Sequence, residues 1–186
     1  AGDVWELVLA GDTSAVTAPG QFVNLELPGK FLRRPISVCD WTETSLTLLV
    51  KEVGAGTREL VRLPAGTRLD VLTGLGNGFA LPPAEENAVL VGGGVGAAPL
   101  AGLARRMLEA GQTPLLVLGF RSKQDAFYLK EFAALGLEVR AATEDGSLGT
   151  KGFVTDVLNG LPDCRYVLAC GPAPMLRAVH ALPQIT

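Results

Sequence analysis

Residues 89–99 read Val89-Leu90-Val91-Gly92-Gly93-Gly94-Val95-Gly96-Ala97-Ala98-Pro99, an apolar run that passes through glycines into a segment carrying proline. The run from Ala88 to Val91 has no polar position, the pattern of a strand buried on both faces. Pro99 suits the first turn of a helix that continues to Ala110, with Gly111 as its stop. Between them lies G-x-G-x-x-A (Gly92, Gly94, Ala97), directly after a strand and directly before a helix. Glycines there permit a tight turn and close approach of the backbone to a pyrophosphate, and the helix start offers free N–H groups. A loop that needs positive φ for purely structural reasons has the same composition, so the motif alone leaves both readings open.

Downstream, the strand-then-helix pattern repeats. Leu115 to Leu118, Leu137 to Ala141 and Tyr166 to Ala169 read as buried strands. Helices are expected from Ser122, with Asp125 at capping-box spacing, around Phe153 to Leu158, and from about Pro174. Four such units imply a doubly wound parallel sheet. Upstream of Leu81-Pro82-Pro83 the period falls to two, with Val23, Leu25 and Leu27, then Leu46, Leu48 and Val50, on one face. Turn residues at Pro19-Gly20, Pro28-Gly29, Gly54 to Gly56, Pro64 to Gly66 and Gly74 to Gly78 punctuate the strands, as in a small antiparallel barrel. The fold class is therefore β plus α/β: an antiparallel barrel, expected with six strands, over 1–83, then a doubly wound nucleotide-binding unit over 84–186. No internal repeat is visible.

The chain has 186 residues, long enough for two small domains. With 48% hydrophobic and 19% charged residues, disorder is excluded. The formal net charge of −3 and the lack of a Lys/Arg run argue against a nucleic-acid or membrane-surface partner. Residues 87–104 are uncharged, yet five glycines and Pro99 interrupt them, unlike a spanning helix. There is no secretory signal, and the start without Met reads as trimmed or processed. One His and three Cys are too few for an ordinary zinc or iron-sulfur site, so no metal site is expected within these residues. Cys39, Cys164 and Cys170 lack CxxC spacing, which fits a reducing cytoplasm.

A second candidate site lies in Arg33-Arg34-Pro35-Ile36-Ser37. An Arg held by the following Pro can aim at a diphosphate, and the Ser37 hydroxyl can sit beside a flat ring and hydrogen-bond to it. Gly56-Thr57 adds a close backbone and a hydroxyl; an ordinary edge-strand start explains the Arg-Arg-Pro equally well. After the second α/β strand, Gly119-Phe120-Arg121-Ser122 supplies no acid for a ribose diol. Arg121 can instead stack on adenine or meet a 2′-phosphate, leaving NAD against NADP open. Glu144-Asp145-Gly146 reads either as a plain turn or as a ribose contact. Cys170, ending an apolar strand, has a bland reading as a small buried hydrophobe. His180 reads as a surface or packed helix residue, and Asp70 and Glu59 have no partner visible in sequence.

The order Arg34-Pro35-Ile36-Ser37, Gly56-Thr57, GGGVGAAP, Cys170-Gly171-Pro172 resembles the ferredoxin-reductase superfamily, in which a flavin-binding barrel precedes a pyridine-nucleotide domain. The phrases PGQFV (19–23), LRRPIS (32–37), GLGNGF (74–79), GFRSKQD (119–125) and ATEDGSLGTKG (142–152) look more closely like the electron-transfer subunits of dihydroorotate dehydrogenase B, along essentially the whole chain. That resemblance implies FAD and NAD(H) as cofactors and an iron-sulfur path, [2Fe-2S] in the full-length family, to an FMN-bearing catalytic partner in a cytoplasmic heterotetramer of pyrimidine biosynthesis. It implies FAD contacts from Arg34, Pro35, Ile36 and Ser37, from Leu49, Val50 and Lys51 along ring and ribityl chain, and from Gly56 and Thr57 at the pyrophosphate. Gly92, Gly93, Gly94, Val95 and Gly96 would approach the dinucleotide phosphates, with Arg121 and Gly171 also on the cofactors. Ser37 and Cys170 would flank the reacting rings and are the expected catalytic positions. The family's four cluster cysteines are not matched by Cys39, Cys164 or Cys170, so the cluster segment is expected to be missing from a fragment. Another flavin reductase subunit of the superfamily, of the bifurcating ferredoxin-NADP reductase or hydrogenase type, and a nucleotide-sensing module without flavin are the alternatives.

Overall fold

The computed structural model describes residues 2–83, 86–162 and 166–185. Its first sheet is antiparallel and consists of β1 (Val4–Ala10), β2 (Phe22–Leu25), β3 (Arg34–Trp41), β4 (Ser45–Lys51) and β5 (Val71–Leu75) in the order β1-β4-β3-β2-β5. The period-two residues fill its core, since Val23, Leu25, Leu27, Leu46, Leu48 and Val50 are all buried. Leu49 is buried too, on the opposite face, because β4 lies beneath the second half of the molecule.

Five strands are present here among the described residues, where six were expected. Between β4 and β5 the chain forms a helix, α1 (Ala55–Leu60), in place of the glycine turn read at Gly54 to Gly56. Thr57 Oγ1 accepts the backbone N–H groups of Val53 (3.0 Å) and Gly54 (3.2 Å), and Leu60 buries beneath it, so a cap and one apolar anchor outweigh two glycines.

The second sheet is parallel, with β6 (Ala88–Gly93), β7 (Leu115–Phe120), β8 (Val139–Thr143), β9 (Thr150–Lys151) and β10 (Tyr166–Cys170) in the order β10-β6-β7-β8-β9. All six residues of β6 are buried. Leu90, Leu116 and Leu118 face α2 (Ala97–Glu109), while Val89, Val91 and Val117 face α4 (Val154–Asn159) and α5 (Ala173–His180). Each such buried side chain contributes about 1.5–3 kcal/mol. The helix expected from Ser122 is absent. Residues 121–128 form turns, and α3 (Leu129–Ala134) begins only after Tyr128, whose φ of 62° marks the break. Cys164 lies outside the described residues.

The two sheets meet through α2. A Cβ on Gly102 would lie 3.0 Å from the Cys39 carbonyl oxygen and 3.2 Å from the Trp41 ring, so the glycine lets α2 settle on β3. Arg105 pairs with Asp40 at 2.9 Å across the same contact.

Candidate functional site

The two adjacent arginines have different surroundings. Arg33 is held at 2.6 Å by Glu26 and at 2.7 Å by Asp70, so it staples β2 to the start of β5. Asp70 thus has a partner, as does Glu59, which pairs with Lys30 at 2.8 Å. Arg34 bonds only the carbonyls of Leu32 (2.6 Å) and Arg33 (3.3 Å) among the described residues. Its guanidinium lies flat against Gly56, where a Cβ would come within 2.7 Å of Cζ and Nη2 and closer still to Nε. A cation without an acidic partner, resting on a bare glycine backbone, is a fitting anion cradle.

Register places the neighbouring residues. Phe22 pairs with Ser37 and Asn24 with Pro35, so these four share the face of the sheet opposite its core. Cys39, two residues beyond Ser37, packs against α2, which leaves Ser37 about 7 Å outside that contact. Asn24 Oδ1 on this face is buried and has no hydrogen-bond partner among the described residues. An orphaned acceptor beside Ser37 and Pro35 fits a flat ring bearing an N–H donor, so the fit to FAD extends beyond the phosphate cradle. Ile36 and Val50 instead join the sheet core and Leu49 the inter-sheet core. Thr57 spends its hydroxyl on the α1 cap.

In the parallel half, Gly94 to Gly96 form one 3₁₀ turn between β6 and α2. A Cβ on Gly96 would overlap the Cys170 carbonyl and come within 2.9 Å of Gly171 Cα; one on Gly93 would meet Pro172 at 2.9 Å. A Cβ on Gly92 would meet Leu118 at 2.7 Å. The loop is therefore pressed into the fork between β6 and β10, where the strand order reverses, the place at which doubly wound sheets bind ligands. Val95 is exposed.

A cavity of about 520 Å³ opens along the carboxyl ends of the parallel strands. Gly93, Gly94, Phe120 and Arg121 line it with Asp125, Phe127 and Glu144; Gly152 to Thr155 and the start of α5, from Pro172 to Ala178, close the other side. Lys51 reaches it from β4. Of the expected residues, the cavity collects Lys51, Gly93, Gly94 and Arg121, whereas Arg34 and Gly56 form their own cradle. Cys170 and Gly171 lie behind the glycine loop. Burial pushes the Cys170 thiol up, so it stays protonated at neutral pH. Cys39 is pushed up to about 12 by burial, which outweighs the opposing effect of the neighbouring Tyr128 hydroxyl. Among the described residues no three His, Cys, Asp or Glu side chains converge as a metal site. His180 is exposed at the end of α5.

Residues 90–181 match the family model of the oxidoreductase NAD-binding domain. The chain is 43% identical over 189 residues to the "Dihydroorotate dehydrogenase B (NAD(+)), electron transfer subunit" of Listeria monocytogenes serovar 1/2a, covering 97% of this chain and 74% of that protein. The chain belongs to this family. The Geobacillus sp. (strain WCH70) subunit of the same name is 44% identical, over 98% of this chain and 74% of its own length. Among solved structures, an NADH-dependent reduced ferredoxin-NADP oxidoreductase studied for flavin-based electron bifurcation superposes with a TM-score of 0.85 at 35% identity, covering 95% of this chain and 66% of that one. The ferredoxin reductase in carbazole 1,9a-dioxygenase gives 0.83 at 26% identity, over 99% of this chain and 64% of that one. As a member of the family the chain is an oxidoreductase subunit with a ferredoxin-reductase-like fold.

Three residues of interest escaped the sequence reading. Asn24 looked like the polar half of an alternating strand. Asp125 looked like a helix cap, and Phe153 like the first residue of a helix, yet Phe153 is 61% exposed over the cavity. Asp145 closes the turn by accepting from Ser147, and Glu144 lines the cavity.

Proposed function

We propose that this chain passes electrons between NAD(H) and FAD as the flavin-bearing subunit of a dihydroorotate dehydrogenase B. The observation that carries the reading is the Arg34–Gly56 cradle, an acid-free guanidinium set beside the face that bears Ser37 and the orphaned Asn24 acceptor. FAD, when bound, supplies a two-electron acceptor that can release electrons singly. Arg34 would grip its diphosphate with charge-assisted hydrogen bonds, and Gly56 lets that guanidinium lie flat. Ser37 and the Asn24 carbonyl would hold the edge of the ring. The glycine loop 92–96, with the Gly171 backbone, would take the pyrophosphate of the pyridine dinucleotide. Cys170 would orient the nicotinamide by packing, as its protonated thiol offers no base.

On this reading residues 1–83 hold flavin and 84–186 hold dinucleotide. The partner is the FMN-bearing catalytic subunit, in a cytoplasmic heterotetramer of pyrimidine biosynthesis; the described residues bring together no ligand set for the [2Fe-2S] cluster of the full-length family. No helix among the described residues is long and apolar enough to cross a membrane. The likeness to the NADH-dependent ferredoxin-NADP oxidoreductase supports a second reading, in which the same two sites serve another flavin reductase assembly. Binding to the FMN-bearing dihydroorotate-oxidising subunit separates the two. Co-elution of the FAD-loaded protein with that subunit supports the first reading; NADH-dependent flavin reduction with no such association supports the second.

A further inference from the structure

Pro82 and Pro83 lie in the connection that carries the chain from β5 to β6, and Pro82 is buried there. A proline has no N–H to give, yet its carbonyl still needs a donor when buried. Both carbonyls find one in the same side chain: Gln112 Nε2 donates to the Pro82 oxygen at 3.1 Å and to the Pro83 oxygen at 3.0 Å. The two N–H groups of one carboxamide are thereby used, and Gln112 is only 9% exposed. Its backbone is fixed by the end of α2. The Gly111 N–H donates to Leu108 at 2.9 Å and the Gln112 N–H to Met107 at 2.8 Å, the paired bonds of a Schellman turn, with Gly111 at φ 77°.

The same helix touches the flavin half at a second place, where Gly102 settles on Cys39 and Trp41 and Arg105 pairs with Asp40. Arg106 Cζ stands 5.4 Å from the centre of the Trp41 ring. About 10 Å of helix axis separates Gly102 from Glu109, the last residue of α2. A rod held at one point can pivot, whereas one held at two cannot. The glycine loop leads into the start of α2, and Arg34 and Ser37 stand at the start of β3, so a pivot at this crossing would move the two sites against each other. Halves joined by a modest contact move relative to one another unless something prevents it.

We propose that Gln112 is a positioning residue for hydride transfer: by clamping the Pro82 and Pro83 carbonyls to the end of α2 it fixes the angle between the two halves. The proposal rests on the reading that NADH and a proton reduce FAD to its dihydro form and leave NAD(+), two electrons passing as one hydride. Such a step is steeply sensitive to the approach of the two rings, and a misplacement of about 1 Å costs on the order of a hundredfold.

The test uses the FAD-loaded protein. Gln112→Met removes both donors at similar length, and Gln112→Glu removes them in a side chain of the same shape, so one variant decides if the other fails to fold. The limiting rate of flavin reduction at saturating NADH is expected to fall at least about tenfold, while the dissociation constants for FAD and for ADP-ribose stay within about twofold. Trp41 reports on the second contact without recourse to activity. In a Trp5→Phe background it is the single tryptophan, and its quenching by acrylamide is expected to rise at least about twofold when Gln112 is replaced. An unchanged limiting rate or unchanged quenching overturns the proposal. A rate that falls only as far as the affinity for FAD or ADP-ribose falls also overturns it, because that is loss of structure and not of alignment. Wild-type protein that binds FAD and NADH and reduces no flavin defeats the electron-transfer reading alone; Trp41 quenching then decides the clamp, raised in its favour and unchanged against it.

Discussion

The segments around Arg34 and Arg121 each place an arginine at the end of a strand, next to glycine-rich backbone, yet they are prepared for opposite tasks. Arg34 bonds only backbone carbonyls and lies open over Gly56, while its neighbour Arg33 absorbs both nearby acids, Glu26 and Asp70. Arg121 is held by Asp125 at 2.9 Å. The difference teaches that an anion site is defined by where the carboxylates go. An arginine whose acids have been diverted is free to take a phosphate, and one whose acid stays with it has its charge already paired.

Removing the open cation should have the largest effect. Arg34→Ala is expected to weaken FAD binding by at least about tenfold, read by flavin retained on gel filtration, since a charge-assisted contact is lost. Retention at the wild-type level would place the flavin elsewhere. Next comes Gly56→Val, which leaves the charge but drives a side chain into the space of the guanidinium. FAD affinity should fall by about threefold to tenfold with circular dichroism unchanged. Asn24→Leu removes the orphaned acceptor, and the apo protein should gain thermal stability while FAD affinity falls by about threefold. The smallest effect belongs to Arg33→Ala, with less than about a twofold change in FAD affinity, because its pairs are half-exposed struts.

The closed arginine makes a pH prediction. Hydrogen bonds from Ser122 and Arg121, with the charges of Arg121 and Lys51, hold the Asp125 carboxyl below its ordinary range. A depressed folded-state pKa means that the ion pair is present above the ordinary carboxylate value and is lost only as pH falls through the lower folded value. The difference in melting temperature between the wild type and Asp125→Asn should therefore stay flat from about pH 5 to pH 8. A decline centred within that window would show that some other group sets it.

The parallel half was readable because its glycine loop is mostly backbone. An uninterrupted apolar strand followed by glycines that must pass Cys170, Gly171 and Pro172 leaves a strong local trace. The antiparallel half hid more, because its site joins Arg34 to Gly56 of α1 and, through strand register, Asn24 to Pro35, contacts that neighbouring sequence does not set. Local spacing also misled. Ser122-x-x-Asp125 fits a capping box, but Arg121 and the cavity claim that carboxylate and the helix starts at Leu129. The partners of Asp70 and Glu59, at Arg33 and Lys30, were invisible for the same long-range reason.

Anaerobic mixing of the FAD-loaded protein with NADH tests the central claim most directly. Loss of the yellow flavin absorbance at one NADH per flavin, abolished with the flavin itself in Arg34→Ala, is the expected result. Flavin that stays oxidised while NADH is demonstrably bound would contradict it.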